Sequence, residues 1–187
     1  VVIQDADLEY DPTDYSTLLA PLIRGETDVV YGTRFGAHSR VPRFSLHHFA
    51  NRLLTAFSNF ATGLELTDME TGYKAFSRRA IEHIAPKLQS PRFGIEPEFA
   101  ARIAETELRV KEVPISYTPR TLLQGKKLLG WKDGPAALFS ILRFGILVRP
   151  RRILKAGGIA FALAALAAAA AFLPPLISDP DSFYHLT

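Results

Sequence analysis

The chain has 187 residues, a formal charge of +3 and no cysteine. That length supports one domain with a real core, and without cysteine there is no disulfide framework, thiolate metal site or cysteine nucleophile. Position matters more than net charge: residues 29–64 hold no Asp or Glu but contain Arg34, His38, Arg40, Arg43, His47, His48 and Arg52, a segment that favours an anionic partner.

The chain begins at Val1 and its only methionine is Met69, so it is expected to be the later part of a longer protein, with further strands before Val1. Val1-Val2-Ile3 reads as a buried strand that stops in Asp5, Asp7 and Glu9. In an open α/β sheet, ligands collect beyond the carboxyl ends of strands. Carboxylates there suit Mg²⁺ or Mn²⁺; an Asx turn and a helix cap by Asp11 are the structural alternative.

A helix is predicted next, with Asp11 as N-cap, Pro12 at its first position, an apolar face of Tyr15, Leu18, Leu19, Leu22 and Ile23, and a stop near Gly25. Asp28 to Gly32 reads as the following strand, giving a right-handed parallel strand–helix–strand unit. Arg34 would then emerge at a strand end near the acids, in a basic loop running to Phe44. Ser45 opens a second helix in which Leu46, Phe49, Leu53, Phe57 and Phe60 keep helical spacing. Asn51, Arg52 and Thr55 lie off that stripe, free to face a ligand or water.

Leu64 to Leu66 is predicted as a short strand, followed by the polar turn Thr67-Asp68-Met69-Glu70-Thr71-Gly72 and an extended run to Phe76. Ser77 caps a helix to Ile84, Phe93 to Glu98 leads into a helix ending near Glu107, and Leu108 to Tyr117 alternates as a strand, with Pro114 favouring an edge. The loop of Arg120 to Lys127 is either solvated or near a phosphate. The segment 131–155 is predicted as amphipathic and lying at a membrane surface. Residues 156–177 are predicted as a transmembrane helix, with 178–187 as a tail. The basic flank Arg149, Arg151, Arg152 and Lys155 then places residues 1–155 in the cytoplasm.

Taken together, Gln4 to Pro12, Val30 to Phe35, Asn51 to Thr55, Thr67 to Lys74, Phe93 to Glu98, and Gln124 to Gly134 resemble, in order, the motifs of dolichyl-phosphate or polyprenyl-phosphate sugar synthases. These form the membrane-associated branch of family 2 glycosyltransferases. The resemblance covers residues 1 to about 145. It implies an α/β fold, the carboxyl-terminal part of a Rossmann-like A-type glycosyltransferase domain, with residues 1–130 as a partial catalytic domain.

By that resemblance Asp5, Asp7 and Glu9 match the metal-binding pattern, Asp5 and Asp7 being catalytic. Arg34 matches an arginine that contacts the lipid phosphate. The family's second phosphate-binding pair falls on Asn51 and Thr55; Asn51 departs from the expected cation, so either Arg52 supplies the charge or the register shifts by one. Asp68, Thr71, Arg120 and Lys126 are further candidate substrate contacts.

The implied reaction is inverting transfer of a sugar from a nucleotide-sugar to a polyprenyl or dolichyl monophosphate, with mannose from a guanosine donor first and glucose from a uridine donor next. The family's nucleotide-base pocket lies upstream of the Asp-x-Asp, so this chain alone is expected to be inactive. No histidine needs a catalytic role, because a phosphate monoester with a second pKa near 6 is already largely dianionic at neutral pH. The competing readings are a family 2 enzyme with another acceptor and a non-catalytic membrane-anchored fragment.

Overall fold

The computed structural model describes residues 1–6, 8–35, 46–90, 94–106, 108–120 and 130–178, with the backbone alone at 46–47, 130–133 and 168–178. The chain divides into two compact units, Val1–Arg149 and Pro150–Thr187. The first unit contains β1 (Val2–Ile3), α1 (Tyr15–Ile23), β2 (Val29–Thr33), α2 (Leu46–Thr62), β3 (Lys74–Phe76), α3 (Arg78–Ile84), α4 (Ile95–Ala104), β4 (Val110–Pro114) and α5 (Gly130–Val148). The second contains α6 (Pro150–Ser178).

The strands form one mixed sheet in the order β1-β3-β2-β4. β3 runs antiparallel to both β1 and β2, while β2 and β4 are parallel. β1 and β2 therefore point the same way, as expected of the strand–helix–strand unit, with β3 inserted between them. The short extended run after Gly72 is buried at every position, so it fills the sheet interior. β4 takes an edge, where Pro114 costs no ladder bond on a further strand.

Local chemistry explains the element ends. Asp11 accepts from the Thr13 amide at 2.9 Å and starts a 3-10 turn, Pro12–Asp14, that leads into α1. α1 stops at Gly25, which takes φ 68°, a value glycine adopts without strain. Ser77 caps α3 by accepting from the Ala80 amide at 3.1 Å. Leu18 is fully buried against Val30, Tyr73, Ala75, Val113 and Ile115, with Leu19 and Leu22 packed on that cluster. On the other face of the sheet Phe76 meets Phe99 of α4 at 5.3 Å between ring centroids.

Three expectations are corrected. Leu64–Leu66 is not a strand; the Asn59 side chain takes the place of a strand partner, donating to the Leu66 carbonyl at 2.7 Å and accepting from its amide at 3.1 Å. The apolar stripe of α2 does not face the core: Phe49 is 65% exposed, whereas Asn51, Thr55, Ser58 and Thr62 are buried.

The expected membrane-spanning helix at 156–177 is not supported: among the described residues no helix is long and apolar enough to cross a membrane. Arg151, Arg152 and Lys155 occupy the start of α6, and the residues that follow them are mainly alanine and glycine, which are only weakly apolar.

Candidate active site

β2 ends by delivering Arg34 to the carboxyl edge of the sheet, where the residue is only 8% exposed. A buried guanidinium needs a partner of matching shape, and Asp68 supplies it. Arg34 Nε donates to Asp68 Oδ2 at 2.7 Å, Nη2 to Oδ1 at 2.7 Å, and the Arg34 amide to Oδ2 at 3.0 Å. Such a two-point fork is among the stronger protein hydrogen-bond pairs. Burial alone would pull the Arg34 pKa down, but the adjacent Asp68 carboxylate more than reverses this and holds it well above the ordinary arginine value.

The network continues into α2. Asn51 Nδ2 donates to Asp68 Oδ1 at 3.3 Å, Thr55 Oγ1 donates to Asn51 Oδ1 at 3.2 Å, and the Met69 amide donates to Thr55 Oγ1 at 3.1 Å. The expected pair at positions 51 and 55 thus shares the inward face with Arg34 and Asp68, while Arg52 is exposed. Thr71 is buried in the same loop; its Oγ1 accepts from the Tyr73 amide at 3.3 Å, and its carbonyl accepts from Lys74 Nζ.

Asp5 lies beyond the end of β1, exposed. A Cβ at Gly72 would sit 2.3 Å from Asp5 Oδ2, so this carboxylate occupies space that only glycine leaves open. The Gly72 amide donates to the Tyr10 hydroxyl at 2.6 Å. Tyr10 is pushed up to about 12, first by burial, with Arg34, Asp68 and Asp5 all close enough to act on it. Its ring packs on Tyr73 at 4.7 Å and on Tyr117 at 5.3 Å between centroids. Tyr10 therefore lies near both the acid after β1 and the cation after β2.

Glu9 is buried and engaged with the far end of the first unit. It accepts from the Tyr117 hydroxyl, from the Arg120 amide at 2.9 Å and from Arg120 Nε at 3.4 Å. Two of the sequence candidates, Glu9 and Arg120, are thus each other's partners. Asp7 and Lys126 lie outside the described residues.

Residues 1–85 match the family model described as glycosyl transferase family 2. Those residues are thus similar to part of a family 2 glycosyltransferase domain. The chain is 31% identical over 143 residues to glycosyltransferase AglJ of Haloferax volcanii, an alignment covering 76% of this chain and 46% of that protein. It is 26% identical to the UDP-N-acetylglucosamine–dolichyl-phosphate N-acetylglucosaminyltransferase of Methanococcus voltae, over 68% of this chain and 53% of that protein. It is likewise 26% identical to the polyprenol monophosphomannose synthase of Mycolicibacterium smegmatis, over 78% of this chain and 55% of that protein. The chain therefore spans about half the length of these relatives.

A divalent ion is implied by the glycosyltransferase resemblance. Among the described residues no group of three or more acids or histidines could hold one. Asp5 fits by its chemistry: it is an exposed, hard oxygen donor just beyond the end of a strand. Glu9 fits less well, its oxygens being taken by Tyr117 and Arg120.

Sequence reasoning passed over Tyr10 and Gly72 as parts of this site. Gly72 carried a usable signal, a glycine directly after a dense polar turn. Tyr10 carried none, because its role depends on β3 lying next to β1.

Proposed function

We propose that the complete protein transfers a sugar from a nucleotide-sugar to the phosphate of a polyprenyl or dolichyl lipid, with inversion and with Mg²⁺ or Mn²⁺. Mannose from a guanosine diphosphate donor is the first choice and glucose from a uridine donor the second. The observation that carries this reading is the buried Arg34, clamped by Asp68 at the end of β2. A site that brings two phosphates together must hold two anions that repel each other, and it needs separate, fixed positive centres to do so.

Arg34 is suited to the acceptor. Its Nε and Nη2 are committed to Asp68, and Nη1 has no acceptor among the described residues, so it is the part left for a phosphate oxygen. Asn51 and Thr55 hold Asp68 from the helix side, keeping the guanidinium in one orientation. Asp5 and Asp7 would hold the metal, whose chemistry when bound is to offset charge on the departing diphosphate. The acceptor oxygen is already anionic at neutral pH and attacks the anomeric carbon, so no side chain has to remove a proton.

A lipid-borne acceptor is supported by the outward faces of α2 and α5. Phe49, Leu53, Phe57 and Phe60 on α2 and Phe139, Leu142, Ile146 and Leu147 on α5 are all exposed, with the cations Arg52 and Arg143 also exposed on these helices. An apolar surface with interspersed cations suits an anionic leaflet. This favours a catalytic domain seated on the cytoplasmic face of a membrane.

The test is transfer by the full-length protein from a panel of nucleotide-sugars to polyprenyl phosphate. One donor should be used in a divalent-dependent way, and Arg34→Ala should raise the KM for the lipid phosphate at least about tenfold, the order expected from losing a charge-assisted hydrogen bond, while donor binding stays nearly unchanged. Transfer to a soluble acceptor in preference to polyprenyl phosphate would overturn the reading.

A further inference from the structure

The Arg34 guanidinium is fixed only as well as the loop that carries Asp68. That loop, Thr67 to Thr71, belongs to no strand or helix, so its backbone amides need partners from elsewhere. β4 provides one. Glu112 accepts from the Thr67 amide through both carboxylate oxygens, each at 2.8 Å, and from the Asp68 amide through Oε1 at 3.1 Å. Glu112 sits opposite Tyr31 in the parallel β2–β4 register, so neighbouring strands deliver Arg34 and the residue that anchors its clamp.

Glu112 forms no salt bridge among the described residues. Its charge is committed instead to two backbone amides in a half-buried position, and burial pushes its pKa up, with the Asp68 carboxylate adding to that. A carboxylate with no cation paired to it among the described residues, kept where desolvation disfavours it, stabilises poorly as a mere packing element. Its geometric effect is specific: it fixes the two residues at the start of the loop, and the second of these holds Arg34.

We propose that Glu112 is a positioning residue for the acceptor phosphate, acting through the Asp68 loop to set the orientation of Arg34. The proposal rests on the lipid-phosphate reading above and deepens it. The chain of contacts runs from Glu112 to the Asp68 amide, from the Asp68 carboxylate to Arg34 Nε and Nη2, and from Arg34 Nη1 to the acceptor. Every link except the last is a hydrogen bond in the structure.

The experiment is steady-state transfer by the full-length protein with Glu112→Ala and Glu112→Gln, varying polyprenyl phosphate and donor separately and checking folding by circular dichroism. Glu112→Ala should raise the KM for polyprenyl phosphate several-fold to about tenfold, with the donor KM within about twofold of wild type. Glu112→Gln keeps one carbonyl oxygen able to accept from an amide, so it should fall between the two. That partial rescue also keeps the test informative if the alanine variant does not fold.

Equal rises in both KM values, a loss confined to kcat, or no change in either variant would overturn the positioning role while leaving the function itself intact. Absence of transfer to polyprenyl phosphate by the wild-type protein would overturn both.

Discussion

Helices α1 and α2 both pack on the first unit, yet they bury opposite chemistry. α1 turns Leu18, Leu19 and Leu22 onto the apolar face of the sheet. α2 turns Asn51, Thr55, Ser58 and Thr62 inward and leaves Phe49, Leu53, Phe57 and Phe60 in the open. The difference follows from what each helix meets. α1 meets strand side chains that need only hydrocarbon, whereas α2 meets the Asp68–Met69 loop, whose carboxylate and amide need hydrogen-bonding groups. Further along the helix the Thr62 hydroxyl is satisfied within α2, Thr62 Oγ1 donating to the Ser58 backbone carbonyl at 2.7 Å. The face a helix buries is set by its partner, and a polar buried face marks a site.

The sharpest way to break this contrast is to remove Asp68. Asp68→Ala should cost about 3–5 kcal/mol of unfolding free energy in denaturant titrations, because it leaves the Arg34 charge buried without a partner. Replacing both members, as in Asp68→Ala with Arg34→Met, should recover much of that loss. Leu18→Ala under α1 belongs to the same broad range, about 2–5 kcal/mol, but no second polar change should rescue it, because its cost is a cavity. If Asp68→Ala were as stable as wild type, the α2 interface would not depend on its charged centre.

A second prediction uses the pH dependence of the same loop. Glu70 Oε1 is buried with no hydrogen-bond partner among the described residues, and the Glu70 pKa is raised from 4.5 to about 7, first by burial and then by Glu96, with Lys74 and Arg34 opposing and Asp68 adding. For an acid raised in the folded state, the protonated form is the favoured one. Its contribution is complete below about pH 4.5 and is lost as pH rises through about 7. Glu70→Gln, which cannot ionise, should therefore gain stability relative to wild type between pH 5 and 8, by up to roughly 3 kcal/mol at about 1.4 kcal/mol per pKa unit. Parallel stability curves for the two proteins would show that Glu70 ionises freely.

Much of the frame was legible because it rests on local rules. Asp11, Ser77 and Gly25 punctuate helices by their own hydrogen bonds and backbone freedom, and Pro114 marks an edge because it cannot donate. The placement of Arg34 at a strand end followed from the apolar run before it. The insertion of β3 between β1 and β2 was not legible: three residues, Lys74–Phe76, carry too little periodicity to announce a central strand, and their pairing is with residues about 45 and 72 positions away. The convergence of Asn51, Thr55 and Asp68 was suggested by resemblance but could not be derived from spacing, since it depends on α2 burying its polar side. The pairing of Glu9 with Tyr117 and Arg120 depends on the Tyr10–Tyr117 bridge, a contact spanning most of the first unit that no local pattern encodes.

The smallest expected effect on stability tests the outward face of α2, and two adjacent residues make the comparison within one helix turn. Phe57 is 44% exposed and Ser58 is 1% exposed. If the inward face is the packed one, Ser58→Phe should overpack it and cost about 1–3 kcal/mol, whereas Phe57→Ser should change unfolding free energy by no more than about 0.5 kcal/mol. The same Phe57→Ser change should lower co-sedimentation of the full-length protein with anionic liposomes, because it deletes apolar area from the surface proposed to meet lipid. A large stability loss from Phe57→Ser with unchanged liposome binding would mean that the stripe is covered by protein and that α2 is an ordinary two-sided core helix. A small stability change with weakened liposome binding leaves lipid as the partner that an apolar outward face requires.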